Sequence, residues 1–82
     1  MNAETDFHPD PAAKLIRMAS EIAEFYAPYP QQEGAAAVAR HINRYWTPKM
    51  REQFLAAAET KEIVLPPLLN EARKQIKTRK SN

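Results

Sequence analysis

The sequence predicts an all-α protein, a small bundle of three to four helices with proline-marked corners. The 82 residues include one Gly and many Ala, and seven Pro separate the helical segments. Apolar side chains recur three and four positions apart, and no segment sustains the alternation of apolar and polar residues that is typical of a half-buried strand. A chain of this length has room for one domain with a small core, which favours additional stabilisation by a partner.

The first helix is predicted over residues 11–27. Asp10 is a favourable cap, and the ring of Pro11 suits the first helical turn because its missing N–H needs no partner there. Pro28 and Pro30 end the helix. Its apolar stripe comprises Leu15, Met18, Ile22 and Phe25, widened by Ala19 and Tyr26.

The second helix is predicted over residues 31–46 and the third over residues 48–59. Pro48 biases Thr47 away from the α region, which ends one helix, while the same pair supplies a cap and a first-turn proline for the next. The apolar positions of the second helix are Ala35, Val38, Ala39, Ile42, Tyr45 and Trp46. Those of the third are Met50, Phe54, Leu55, Ala57 and Ala58.

A fourth helix is predicted over residues 66–78, opened by Pro66 and Pro67. Its apolar face contains Leu68, Leu69, Ala72 and Ile76. The chain thus divides into a disordered leader over residues 1–9, a single helical domain over residues 10–76 and a basic tail over residues 77–82 that frays.

Composition excludes several classes of site. The chain contains no Cys, so disulfides, thiolate metal sites and cysteine nucleophiles are ruled out. The N-terminal region lacks the pattern of a secretory signal, and no apolar stretch approaches the roughly 20 residues of a membrane span. The sequence therefore predicts a soluble, cytoplasmic protein without membrane contact.

The residues also argue against catalysis. His8 lies in the predicted leader, and His41 has the cations Arg40 and Arg44 as neighbours, which oppose metal binding. The sequence has no Gly-rich loop that could hold a phosphate group. We therefore expect no catalytic, cofactor-binding or metal-binding residues on this chain.

The segment from Arg40 to Arg51 holds the only Trp of the chain and five basic side chains around a proline corner. Aromatic residues, Met and Arg are enriched where proteins dock. Trp46 equally fits the core of the domain, and His41 fits a partly buried, hydrogen-bonded imidazole. An acidic surface on another chain would complement the cations of this corner.

Charge is distributed unevenly along the chain. Residues 1–40 have a net charge of −3 and residues 41–82 a net charge of +5. A solvated basic tail explains this distribution, and so does a small nucleic-acid-binding module. The phosphate contacts of such a module would be Arg73, Lys74, Lys77, Arg79 and Lys80.

Three segments together resemble the delta subunit family of NAD-dependent formate dehydrogenases. They are the run Lys14–Ala19, the corner pattern formed by His41, Tyr45, Trp46, Pro48, Lys49, Met50 and Arg51, and the Leu65-Pro66 pair before the apolar helix that reaches Ala72. The resemblance covers roughly residues 13–72. Lys49 stands where Arg is usual in the family, and Tyr45 where Phe is common.

The resemblance implies a non-catalytic accessory subunit of a soluble formate dehydrogenase complex, which converts formate and NAD to carbon dioxide and NADH. Such a subunit supports assembly, stability or cofactor loading of the large catalytic subunit. A molybdenum or tungsten pterin, iron-sulfur clusters, FMN and NAD are implied on partner subunits, and none on this chain. A nucleic-acid partner is disfavoured, and an independent homo-oligomer or weak self-association of the isolated chain stays an alternative.

The predicted partner-binding residues lie in the segment from Arg40 to Arg51, and Arg17 of the first helix is added as a contact at its edge. They are Arg17, Arg40, His41, Arg44, Tyr45, Trp46, Pro48, Lys49, Met50 and Arg51.

Overall fold

The computed structural model describes residues 11–60 and 63–78. Over this part of the chain it contains α1 (Pro11–Tyr26), α2 (Gln31–Tyr45), α3 (Pro48–Ala58), α4 (Pro67–Ala72) and a short 3-10 helix (Arg73–Gln75). The predicted all-α fold is confirmed, and α2 and α3 begin at the predicted residues. Helix α1 is described from Pro11 onward, and its predicted cap Asp10 lies outside the described residues. The predicted leader over residues 1–9 and the last four residues of the predicted tail lie outside the described part.

Helix α2 is central in the packing. It packs against both α1 and α4, and α1 also packs against α3. The largest fully buried side chains are Phe54, Ile42, Leu69 and Val38. These four residues come from α2, α3 and α4, so the small core joins helices that are distant in sequence.

Close helix packing at the start of α2 depends on Gly34. A Cβ atom added at this position would lie 3.0 Å from the Leu68 side chain and 3.0 Å from the carbonyl oxygen of Tyr26. Gly34 is buried, and its N–H donates to the Pro30 carbonyl at 2.8 Å. The absence of a side chain thus lets α2 approach both the end of α1 and the face of α4.

Two aromatic residues of the predicted apolar stripes are exposed. Phe25 is 70% exposed and Tyr45 is 67% exposed. The buried face of α1 is formed by Leu15, Ala19 and Ala23, and Phe25 follows Ala23 by two positions, a rotation of roughly 200° around the helix axis. Tyr45 is the last residue of α2 and lies at the edge of its buried stripe.

The fourth helix is shorter than the predicted range of residues 66–78. Regular α-helix ends at Ala72, and Ile76 has an extended backbone with φ −82° and ψ 130°. Tertiary hydrogen bonds replace the helical ones: the Asn43 side chain donates to the Gln75 carbonyl at 3.1 Å and accepts from the Lys77 N–H at 2.8 Å. Lys77, where the frayed tail is predicted to begin, is therefore held on α2.

Within residues 11–60 and 63–78, every helix falls short of the length and hydrophobicity required to cross a lipid bilayer.

Candidate docking surface

The corner between α2 and α3 forms as its cap and proline predict. Trp46 leaves the helix with φ −91° and ψ 144°. The Thr47 hydroxyl accepts a hydrogen bond from the Met50 N–H at 3.1 Å, which caps α3, and Pro48 occupies its first turn. The corner is thus a defined turn whose geometry is set by local sequence.

Trp46 lies inside this corner, in the core of the chain. Its side chain is 6% exposed, and its ring meets that of Phe54 edge-on with centroids 5.9 Å apart. The sequence left core and interface open for this residue. The structure assigns it to the core, and the indole is not part of an exposed surface.

Arg51 likewise has internal partners. Its Nε atom donates to the Lys77 carbonyl at 2.7 Å, and its Nη1 atom donates to the carbonyls of Asn43 at 3.1 Å and Trp46 at 2.8 Å. Carbonyl groups in the last turn of a helix lack helical donors and carry partial negative charge, so a guanidinium group is a favourable cap. Arg51 therefore joins the end of α2, helix α3 and the C-terminal segment.

The other predicted partner-binding residues lie at the surface. Exposed among them are Arg17, Arg40, Arg44, Tyr45, Pro48 and Lys49, whereas His41 and Met50 are half-buried. The Tyr45 ring contacts that of His41 at a centroid distance of 4.9 Å, and the Arg44 guanidinium carbon lies 5.9 Å from the centroid of the Tyr45 ring.

Few charged side chains pair with an opposite charge within residues 11–60 and 63–78. In the described part, the one ion pair joins Lys74 to Glu71 at 3.1 Å. The exposed cations Arg40 and Arg44 therefore have no carboxylate partner there. They are four residues apart on α2, and like charges at this spacing repel each other.

The structure also brings together residues that the sequence analysis missed. An open groove runs between the end of α1 and the outer side of α2, and we define this aromatic groove by Tyr26, Tyr29, Ala37, Arg40, Arg44 and Tyr45. It consists of two adjoining depressions of about 430 Å³ and 220 Å³ that share Tyr26, Ala37 and Arg40. Glu33 lines the far end.

Tyr29 is held at the groove by the turn that follows α1. Its N–H donates to the Tyr26 carbonyl at 3.0 Å, and its ring lies 5.6 Å from that of Tyr26. The side chain remains 52% exposed. An aromatic residue between Pro28 and Pro30 was the available sequence signal, because a short proline turn has little capacity to bury a ring.

Two of the basic C-terminal residues have side-chain partners three residues earlier in the chain. Arg73 donates to the Asn70 side chain at 2.7 Å, and Lys74 pairs with Glu71. Arg79 and Lys80 lie outside the described residues. No observation here favours the nucleic-acid alternative.

Metal ligation receives no support from the described residues. No group of three or more His, Cys, Asp or Glu side chains is placed there to hold a metal ion. The whole sequence lacks Cys, so thiolate ligation of an iron-sulfur cluster has no ligands on this chain.

Comparison with known proteins supplies the family. The model of the NADH-dependent formate dehydrogenase delta subunit FdsD matches residues 14–73, which include the corner and the groove. No curated protein and no solved structure matches the chain. Since the match covers most of the sequence, this chain belongs to the family of NADH-dependent formate dehydrogenase delta subunits.

Proposed function

We propose that the chain is a non-catalytic accessory subunit that binds the large catalytic subunit of a soluble, cytoplasmic formate dehydrogenase and supports its assembly, stability or cofactor loading. The delta subunit family match is the observation on which the proposal rests. The pterin-bound molybdenum or tungsten, the iron-sulfur clusters, FMN and NAD are assigned to partner subunits, and none to this chain.

The surface chemistry supports a docking role. Arg17, Arg40, Arg44 and Lys49 are exposed, and none forms an ion pair with another described residue. Arg40 and Arg44 are four residues apart on α2, and like charges at this spacing raise the free energy of the domain by mutual repulsion. An acidic partner surface would convert this repulsion into attraction and would also speed the encounter of the two proteins.

The predicted corner contributes to docking in two ways. Tyr45, Pro48 and Lys49 present exposed side chains to a partner. Trp46 stabilises the conformation of the corner through its ring contact with Phe54, and Arg51 does so through its hydrogen bonds to backbone carbonyls.

Copurification tests the proposal. The full chain is coexpressed with an affinity-tagged large catalytic subunit, and its recovery with that subunit is measured together with the metal content and thermal stability of the large subunit. We expect the two chains to elute together. We also expect the large subunit expressed without this chain to be less stable or to contain less metal.

The outcome that refutes an accessory role is a large subunit that retains no copy of the wild-type chain and has the same stability and metal content without it. The variant Lys49→Glu examines the corner, with Lys14→Glu on the exposed side of α1 as a control of the same charge change. Reduced recovery of Lys49→Glu alone would place the corner at the interface.

A further inference from the structure

We propose that the aromatic groove binds a helix of a partner subunit that presents carboxylate groups to Arg40 and Arg44. The inference rests on the proposed function, because it names the surface through which the accessory subunit binds its partner. It adds Tyr26 and Tyr29 to the interface and gives the chemistry of the occupant.

The length of the groove fits a short helix. Its lining residues run from Glu33 to Tyr45 along α2, and twelve helical steps span roughly 18 Å. A partner helix of about three turns has the same length. The contact would be a helix-in-groove arrangement, in which apolar side chains at helical spacing anchor the partner.

Exposed aromatic rings provide the apolar part of the contact. Tyr29 and Tyr45 are each more than half exposed, and Tyr26 lies between them on the groove wall. The short side chain of Ala37 leaves the floor open for a partner side chain. Tyr is favoured at protein interfaces because its ring supplies a large contact area while its hydroxyl group finds a hydrogen-bond partner.

Charge determines the chemistry of the occupant. Arg44 lines the end of the groove near Tyr45, and Arg40 lies at its centre, where the two depressions join. Both guanidinium groups lack carboxylate partners among the described residues. Glu33 lines the opposite end. A partner helix with its carboxylates over the two arginines is attracted, whereas carboxylates over Glu33 are repelled, so the charge pattern also selects one orientation.

A helix satisfies the backbone better than an extended peptide. The described surface contains no strand edge to which an extended segment could add. The backbone N–H and C=O groups of an extended partner segment would therefore lose water without gaining hydrogen-bond partners. A helix satisfies these groups internally. A nucleic acid is disfavoured because its phosphates would face Glu33 as well as the arginines.

The test measures the affinity of the purified full chain for the purified large catalytic subunit. We expect Arg40→Glu and Arg44→Glu each to weaken binding at least about tenfold, since each places a carboxylate against the proposed acidic groups. Lys14→Glu, with the same charge change outside the groove, should alter affinity less than about threefold. A Tyr29→Ser/Tyr45→Ser double variant should also weaken binding while retaining the wild-type circular dichroism spectrum.

The outcomes separate this inference from the proposed function. If the wild-type chain does not bind the large subunit and leaves its stability and metal content unchanged, the proposed function fails. If the wild type binds and the groove variants, folded by circular dichroism, bind equally well, the function stands and the groove is not the interface.

Two other occupants have their own measurements, and a positive result in either overturns the inference. Sedimentation of the isolated chain would show a second copy in the groove as self-association abolished by Arg40→Glu. Fluorescence anisotropy with a labelled single-stranded RNA would show a nucleic acid there as salt-sensitive binding lost in the same variant.

Discussion

The Nη1 atom of Arg51 lies 2.8 Å from the carbonyl oxygen of Trp46, the C-cap residue that follows α2. A cation predicted to face a partner thus stabilises the corner from inside, together with a Trp that packs on Phe54. This arrangement changes how the corner must be tested, because variants of these two residues alter the fold before they alter any docking surface.

Arg51→Met should lower the free energy of unfolding by about 2–3 kcal/mol, because three backbone carbonyls lose a charged donor. Urea unfolding followed by circular dichroism measures the change. Arg44→Met is the matched control and should change stability by less than about 0.5 kcal/mol, since its guanidinium group is exposed and contacts one exposed ring. Equal effects of the two variants would contradict a structural role for Arg51.

Asn43→Asp should detach the segment around Ile76. The new carboxylate still accepts a hydrogen bond from the Lys77 N–H. It can no longer donate to the Gln75 carbonyl, and its negative charge repels the partial negative charge on that oxygen. We expect a loss of about 1–3 kcal/mol in unfolding free energy. Hydrogen exchange of the Lys77 amide should become faster, and unchanged protection of this amide would show that Asn43 does not hold the segment.

Trp46→Ala should destabilise the chain by about 3–5 kcal/mol, because it opens a cavity beside Phe54. The wild-type emission should be blue-shifted and poorly quenched by iodide, and the chain's one Trp makes the signal unambiguous. Tyr45→Ala, a loss of an exposed ring, should cost less than about 0.5 kcal/mol. Emission typical of a water-exposed indole in the folded chain would refute the burial of Trp46.

Gly34→Ala should destabilise the protein by about 1 kcal/mol, although Ala is ordinarily the better helix former. The added Cβ would lie 3.0 Å from the Tyr26 carbonyl, which also accepts from the Tyr29 N–H in the turn between two prolines. The turn therefore has little freedom to move. Ala36→Gly is the opposite control on the same helix and should lower the free energy of unfolding by about 1 kcal/mol through helix propensity alone. A Gly34→Ala variant more stable than the wild type would show that the turn adapts to the added Cβ.

Local signals were sufficient for most of the fold. The pair Thr47-Pro48 predicted the start of α3, and the spacing of Ala35, Val38 and Ile42 predicted the buried face of α2. These signals act within one helical turn, so they are readable in a single sequence. The family resemblance followed from the same segments and is confirmed by the family match.

The candidate site was only partly predictable. Arg40, Arg44 and Tyr45 were selected from the sequence and line the groove, whereas Tyr26 and Tyr29 were not selected. Tyr26 belongs to the apolar stripe of α1, and its exposed edge becomes apparent only when α2 is placed beside it. A ring at the margin of a stripe has no local signal that separates core from groove.

The sequence by itself determined the helix starts, the buried face of α2, the excess of cations and the family, because caps, prolines and helical periodicity are local properties. Tertiary structure decided that Trp46 and Arg51 face inward, that the chain leaves the helix near Ile76, and that two helices enclose an aromatic groove. The deciding contacts join residues far apart in the chain, such as Asn43 to Lys77 and Arg51 to Lys77. Hydrogen bonds of this kind exist only after the helices have packed, so local pattern cannot specify them.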